Sequence, residues 1–308
     1  MLLRDWPCIR AEVSVTTEEI RTQPALWERA AELAAGLEGV LPKPGESACV
    51  IGCGTSWFMS QAYAALREGC GHGRTDAFAA SEMPPRDYDV VLALSRSGTT
   101  SEVAHALMRS ARSLTVAVTA VADSPVAHAA NDVVALEFAD ERSVVQTRFA
   151  TTALSLLRAH EGFDIGASVA DAEAALDAPL PVAPGEADRW AFLGRGWTIG
   201  LANEAALKLR ESAQAWTEAY PAFEYRHGPI SIAGPGAAVW FLGPPDDGLL
   251  ESVRAAGALA VAPAIDPLAS LVLAQRTGVA LAEAAGLDPD RPRNLTRSVV
   301  LSTTEVPQ

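Results

Sequence analysis

SACVIGCGTS, residues 47–56, runs from apolar residues into glycines and small hydroxyls. The pattern predicts a buried strand over 47–54, a tight turn at Gly52 and Gly54, and a helix from about Ser56. DVVLALSRSGTT (89–100) repeats the unit, with a helix expected at about 99–112. LTVAVTA (114–120) and VVALEF (133–138) supply two further apolar runs before a helix at about 144–160. Runs that are apolar throughout, not alternating, belong to strands covered on both faces. Strands separated by helices pair in parallel, so the fold class is α/β.

Before this region, residues 1–46 read as a helical segment, with a helix near 25–37 ended by Pro42-Lys43-Pro44-Gly45. After it, DAPLPVAPGEAD (177–188) has the proline and glycine content of a linker. The pattern then restarts with RWAFLGRGW (189–197), AAVWFLGPP (237–245), GALAVAPA (257–264) and a helix at about 267–286. The expected division is a leading segment 1–46 and two similar βα domains, 47–165 and 185–308. One continuous sheet is the less favoured alternative.

The chain has 308 residues, 49% of them hydrophobic and 20% charged, which suits a folded protein with a large core. A net charge of −14 argues against a nucleic-acid surface, because phosphate backbones call for clustered Lys and Arg. A small anion remains compatible, since helix N-termini and hydroxyls can hold it. Cys8, Cys49, Cys53 and Cys70 show no CxxC spacing, so neither a zinc site nor a disulfide framework is expected. No run approaches a membrane span, and MLLRDWPCIRAE lacks the apolar core of a signal peptide. The expectation is a cytoplasmic protein with reduced thiols.

Two strand-to-helix junctions carry the chemistry. Gly52-Cys53-Gly54-Thr55-Ser56 and Ser95-Arg96-Ser97-Gly98-Thr99-Thr100 each put glycine and hydroxyl residues past the end of an apolar strand. Free N–H groups there face outward and the helix dipole favours an anion, so such a cup fits a phosphate monoester. Capping alone would not need five Ser or Thr between residues 95 and 101. A nucleotide fits less well: there is no GxxxxGK[ST], and GCGTSW lacks the third dinucleotide-binding glycine. Glu141 to Arg148 forms a third polar turn, whose plain reading is a helix N-terminus.

NEAALKLRESAQAWTEAYPAFEYRHGP (203–229) reads as a helix running into a loop. Glu204, Lys208 and Glu211 fall on one face of that helix, and the loop carries Glu224, Arg226 and His227. By spacing alone, the three charges read first as solvent-exposed ion pairs.

GCGTS, LSRSGTT, ERSVVQT, EAALKLRE with His227-Gly228-Pro229 after it, and RPRNLTRSV come in a fixed order over residues 47–301. Together they resemble the sugar isomerase (SIS) family, in particular the isomerase portion of glucosamine-6-phosphate synthase. The resemblance implies two SIS domains, each a five-stranded parallel sheet flanked by helices in a flavodoxin-like three-layer sandwich, and a homodimer. It implies a phosphate cup of Ser95, Arg96, Ser97 and Thr100, with Thr55 and Ser56 beside the sugar and Val144 as a backbone contact. Glu204 and Thr296 are the remaining substrate-binding positions it suggests. Glu211 matches the family's catalytic glutamate, Lys208 its nearby lysine, and His227 its ring-opening histidine, which reaches in from the partner subunit. Where the family has a C-terminal lysine that approaches the sugar carbonyl, this chain has Arg297, whose guanidinium stays protonated and forms no imine. No amidohydrolase domain precedes residue 47, so a stand-alone phosphosugar isomerase, deaminase or deglycase is the expectation.

Aldose–ketose interconversion moves a proton between C1 and C2. It needs a base, a ring-opening group and a cation near the developing oxyanion, with no metal or cofactor. Glu211, His227 and Lys208 would fill these roles, and Arg297 would be a fixed cation. The alternatives are a fructosamine-phosphate deglycase and a catalytically silent sugar-phosphate-binding protein. His72, His105, His128 and His160 read as surface or capping residues, and Cys53 as small filler more than a reactive thiol. Gly194-Arg195-Gly196 reads as a structural turn.

Overall fold

The protein is described by a computed structural model over residues 13–301. The expectations about MLLRDWPCIRAE, with Cys8, and about the last residues of the tail lie outside this range.

Two parallel sheets account for the apolar runs. The first contains β1 (Ala48–Gly52), β2 (Thr75–Ala79), β3 (Val90–Ser95), β4 (Leu114–Thr119) and β5 (Asp132–Ala135), in the order β2-β1-β3-β4-β5. The second contains β6 (Arg189–Gly194), β7 (Trp216–Pro221), β8 (Ala237–Leu242) and β9 (Leu259–Val261), in the order β7-β6-β8-β9. All pairs are parallel. The second sheet has four strands among the described residues, not five, and the two sheets are not one continuous sheet. Every residue of β1, β3 and β8 is buried, as expected for strands covered on both faces.

The helices are α1 (Val15–Arg21), α2 (Gln23–Ala34), α3 (Thr55–Gly69), α4 (Ser101–Arg109), α5 (Pro125–His128), α6 (Arg148–His160), α7 (Gly166–Asp177), α8 (Thr198–Ala213), α9 (Asp247–Ala255) and α10 (Pro267–Ala284). One core joins the two sheets. Val50, Leu92 and Val116 of the first pack in the same cluster as Phe192 and Trp240 of the second, with α2, α3, α6, α8 and α10 between them. The alternate strand residues form two outer cores. Ile51 and Val91 meet α4 and α5, and Leu193 and Val239 meet α9. The period of two along each strand thus decides which residues join the shared layer.

Several boundaries differ from expectation. The edge strands β2 and β7 were not foreseen, because both are only partly buried and lack an apolar run. The predicted 203–229 helix-and-loop is instead α8 from Thr198, then β7, then a short 3-10 turn at Glu224–His227. Helix α6 begins at Arg148, not 144, because the Glu141 carboxylate accepts the Thr147 and Arg148 N–H groups at 2.5 and 2.6 Å and so ends the loop there. Helices α1, α7 and α9 are additional.

Helices α3 and α8 cross in near backbone contact. A Cβ on Gly200 would stand 2.3 Å from the Phe58 carbonyl oxygen and 2.8 Å from the Ala62 nitrogen, so only glycine allows this approach. The crossing brings the start of α3 alongside the charged face of α8.

Candidate active site

Strand β1 lies between β2 and β3, so the chain leaves β1 and β3 toward opposite edges of the sheet. The helix after β1, α3, packs on the shared core, and the helix after β3, α4, on the outer one. Helices diverging to opposite faces leave a crevice beyond the carboxyl ends of the two strands, the usual ligand position in an open parallel sheet. A cavity of about 240 Å³ lies there.

Its walls are the junctions singled out from the sequence. Thr55 and Ser56 come from the first, and Ser95, Arg96, Ser97 and Thr100 from the second. The first junction turns sharply enough that a Cβ on Gly52 would lie 2.6–2.8 Å from Ser56 and Trp57 atoms. The second turns through Gly98, at φ +65°, where a Cβ would meet the Ser124 hydroxyl at 2.1 Å. The Ser97 hydroxyl is held by Thr99, through its N–H at 3.3 Å and its hydroxyl at 3.0 Å. The buried Ser95 hydroxyl has no protein partner and faces the same cavity, as does the Gln146 side-chain oxygen. Unpaired polar atoms on a cavity wall are groups that a polar ligand or water can satisfy.

Val144 from the loop before α6, Glu211 from α8, and Thr296 and Arg297 from the C-terminal segment complete the wall. Glu211 is backed by a buried network. The Lys208 ammonium donates to Glu211 at 2.5 Å and to the Thr55 hydroxyl at 3.0 Å, and lies 3.3 Å from Glu204. Thr55 in turn donates to Glu204 at 3.2 Å. Glu204 and Lys208 are 1% and 2% exposed, so the charged face of α8 is not a solvated surface. Burial, and to a lesser extent the Glu211 charge, pushes the Glu204 carboxyl up to about 7 despite Lys208 beside it. Burial alone would lower the Lys208 ammonium, but the carboxylates of Glu204 and Glu211 outweigh it and hold it above its ordinary value.

No family model matches the chain. Among curated proteins, the glutamine–fructose-6-phosphate aminotransferase (isomerizing) of Sulfurisphaera tokodaii is 27% identical over 84% of this chain and 51% of its own length. The enzyme of the same name from Methanothermobacter thermautotrophicus is 28% identical over 85% of this chain and 53% of its own. The chain thus spans about half the length of the curated relatives it matches. Among solved structures, glucosamine-6-phosphate deaminase from Thermotoga maritima superposes with a TM-score of 0.79 at 24% identity, covering 94% of this chain and 100% of that one. Tagatose-6-phosphate ketose/aldose isomerase from Escherichia coli gives 0.77 at 18% identity, covering 94% and 97%.

The chain is thus similar to isomerizing aminotransferases and shares the fold of these sugar-phosphate enzymes. Two residues expected to touch substrate do not reach the cavity wall. Glu204 and Lys208 lie beneath it and contact its lining residues Thr55 and Glu211. His227 is exposed on the Glu224–His227 turn and is not part of its own chain's cavity wall.

The two arginines on the cavity wall also bond to protein groups. Buried Arg96 donates to the Ser143 carbonyl at 2.8 Å and the Arg297 carbonyl at 2.7 Å, and lies 3.6 Å from Glu141. Arg297 pairs with Asp140 at 2.5 Å and donates to the Glu141 carbonyl. The Arg96 Nε, by contrast, is buried with no protein partner.

Sequence reading placed Thr99 in the second junction and Glu141 and Gln146 in the third polar turn, but gave none of them, nor Ser298, a role of its own. Gln146 and Glu141 sit in the ERSVVQT segment, so the signal was present, but nothing in the spacing says which side chain turns inward. Burial pushes the Cys53 thiol up to about 11, which fits filler, not a nucleophile. His72 pairs instead with the buried Glu161 at the far end of α3, and Tyr63 donates to that carboxylate at 2.7 Å. Among the described residues no group of three or more His, Cys, Asp or Glu has metal-binding geometry, and no helix is long and apolar enough to cross a membrane.

Proposed function

We propose that this protein interconverts the aldose and ketose forms of a phosphorylated sugar or amino sugar, and that with an amino sugar the same site can couple this to loss of the amine. The observation that carries the reading is one cavity whose wall holds both a hydroxyl-lined helix N-terminus and Glu211, backed by a buried lysine. In this reading the phosphate takes the cup of Ser95, Ser97 and Thr100, accepting their hydroxyls and the free N–H groups at the start of α4. The sugar then lies along Thr55, Ser56 and the Val144 backbone, with C1 and C2 toward Glu211. Glu211 shuttles the proton, and its position is fixed by Lys208, which Glu204 and Thr55 hold in turn. The relatives named as isomerizing aminotransferases support the isomerisation half of this assignment. His227 would open the sugar ring from the neighbouring subunit of a homodimer, and the two sheets would correspond to two SIS domains of a cytoplasmic enzyme needing no cofactor.

The test is solvent deuterium incorporation, followed by NMR, across hexose, hexosamine and fructosamine phosphates. Wild type should label C1 or C2 of at least one of them. Glu211→Gln keeps shape and hydrogen bonding but cannot accept a proton, so labelling should fall by about 10²–10⁴-fold. Equal labelling in both proteins removes Glu211 from the chemistry. No labelling by wild type across the panel refutes the isomerase reading and leaves a binding protein.

A further inference from the structure

The C-terminal segment, residues 287–301, contains no helix or strand yet forms one side of the cavity through Leu295, Thr296, Arg297, Ser298 and Val299. Burial does not hold it there, since Leu295, Val299 and Val300 are 43%, 54% and 68% exposed. What holds it is a line of polar contacts to the cup and to the loop before α6. Ser298 shares a 2.9 Å hydrogen bond with Thr99, and the Leu301 N–H donates to Ser101 at 2.9 Å. The Arg297 carbonyl accepts from buried Arg96, while the Arg297 side chain reaches both Asp140 and the Glu141 carbonyl. Arg297 is therefore fastened on both its backbone and its side chain, and to two different segments.

We propose that Arg297 is a positioning residue that clamps the C-terminal segment across the substrate cavity through Asp140 and the Glu141 carbonyl, instead of a cation that acts on the sugar. The chemistry of the side chain fits this work. A guanidinium offers a planar fork of donors that can serve a carboxylate and a neighbouring carbonyl at once, whereas an ammonium is a point charge. Glu141 is itself fixed by Thr147 and Arg148 at the start of α6, so the clamp closes on a rigid partner. With its charge met by Asp140, Arg297 leaves proton transfer to Glu211 and shapes the wall that the sugar meets. The inference rests on the isomerase reading only for its kinetic consequence, because the clamp itself is a matter of structure.

The experiment compares Arg297→Ala, Asp140→Ala and the double variant with wild type by amide hydrogen exchange over residues 295–301. Each single change should speed exchange there by about three- to tenfold, without altering the strands. The double should add nothing to Arg297→Ala, because removing the guanidinium already releases both Asp140 and the Glu141 carbonyl. Unchanged exchange in Asp140→Ala, or additive effects, overturns the clamp. With a substrate in hand, both single variants should raise KM and keep kcat. A loss of kcat confined to Arg297→Ala means that the guanidinium acts on the substrate, and that also overturns the proposal. If wild type turns over no sugar phosphate, the isomerase reading fails while the exchange measurement still decides the clamp.

Discussion

Glu204 holds an ionisable carboxyl where water does not reach, and that has a measurable consequence. Its carboxyl titrates at about 7 in the folded chain against an ordinary 4.5, so between those pH values the native state binds more protons than the unfolded one. Its contribution to stability is complete below about 4.5 and is lost as pH rises through 7. The full swing is roughly 3 kcal/mol at 1.36 kcal/mol per unit. Lys208 is raised above an ordinary 10.5 and keeps its proton throughout, adding no slope there. Thermal unfolding of wild type and Glu204→Gln at pH 5 and pH 8 tests this. Wild type should lose more stability between the two than the variant does, and parallel losses would show that Glu204 carries no such proton. The i, i+4, i+7 spacing made these charges visible in the sequence but could not show that they are buried. An exposed ion-pair ladder has the same spacing. Burial comes from the α3–α8 crossing, which joins residues far apart in the chain. The same limit hid the commitment of Arg96 and Arg297 to Glu141 and Asp140, pairs set by folding and not by neighbourhood in sequence.

At the scale of elements, what the sequence disclosed follows how completely each strand is covered. Strands β1, β3, β4, β6 and β8 are buried along most of their length, and their apolar runs made them legible. Strands β2 and β7 sit at sheet edges with half-exposed residues such as Asp76 and Glu218, so no run marks them. The onset of α6 was misplaced because a side-chain cap decides it. The glycines at the strand ends were correctly read as turns, but Gly200, inside a helix, drew no notice although it sets how closely α3 and α8 approach. Gly200→Ala would drive a Cβ against backbone atoms of α3 that have no rotamer to yield. Overpacking of this kind costs about 1–3 kcal/mol. The midpoint of urea unfolding should drop accordingly, with Gly39→Ala, which meets nothing within 4 Å, as the control. Because the crossing also places Lys208 against Thr55, activity should fall with stability. An unshifted midpoint would mean that the helices separate easily and that the crossing does not fix the site.

At the scale of the whole molecule, the proposed chemistry is incomplete in one chain. Glu211 and its buried lysine stand on the cavity wall, but the candidate ring-opening group, His227, is exposed on a turn outside it. Phe223 and Ile232, four and five residues away in the chain, are also exposed, at 41% and 46%. If two chains pair so that each supplies its histidine to the other, every site draws Glu211 from one subunit and His227 from its partner. That arrangement has a signature no single-chain site can imitate. Glu211→Gln and His227→Asn should each be nearly inactive alone on a cyclic sugar phosphate. After the two are unfolded together and refolded, mixed dimers contain one site with both lesions and one with neither, so activity should return. Sedimentation should show the dimer at the assay concentration. If site and histidine belong to the same chain, every site in the mixture keeps a lesion and no activity returns, which would move ring opening to another group on the cavity wall.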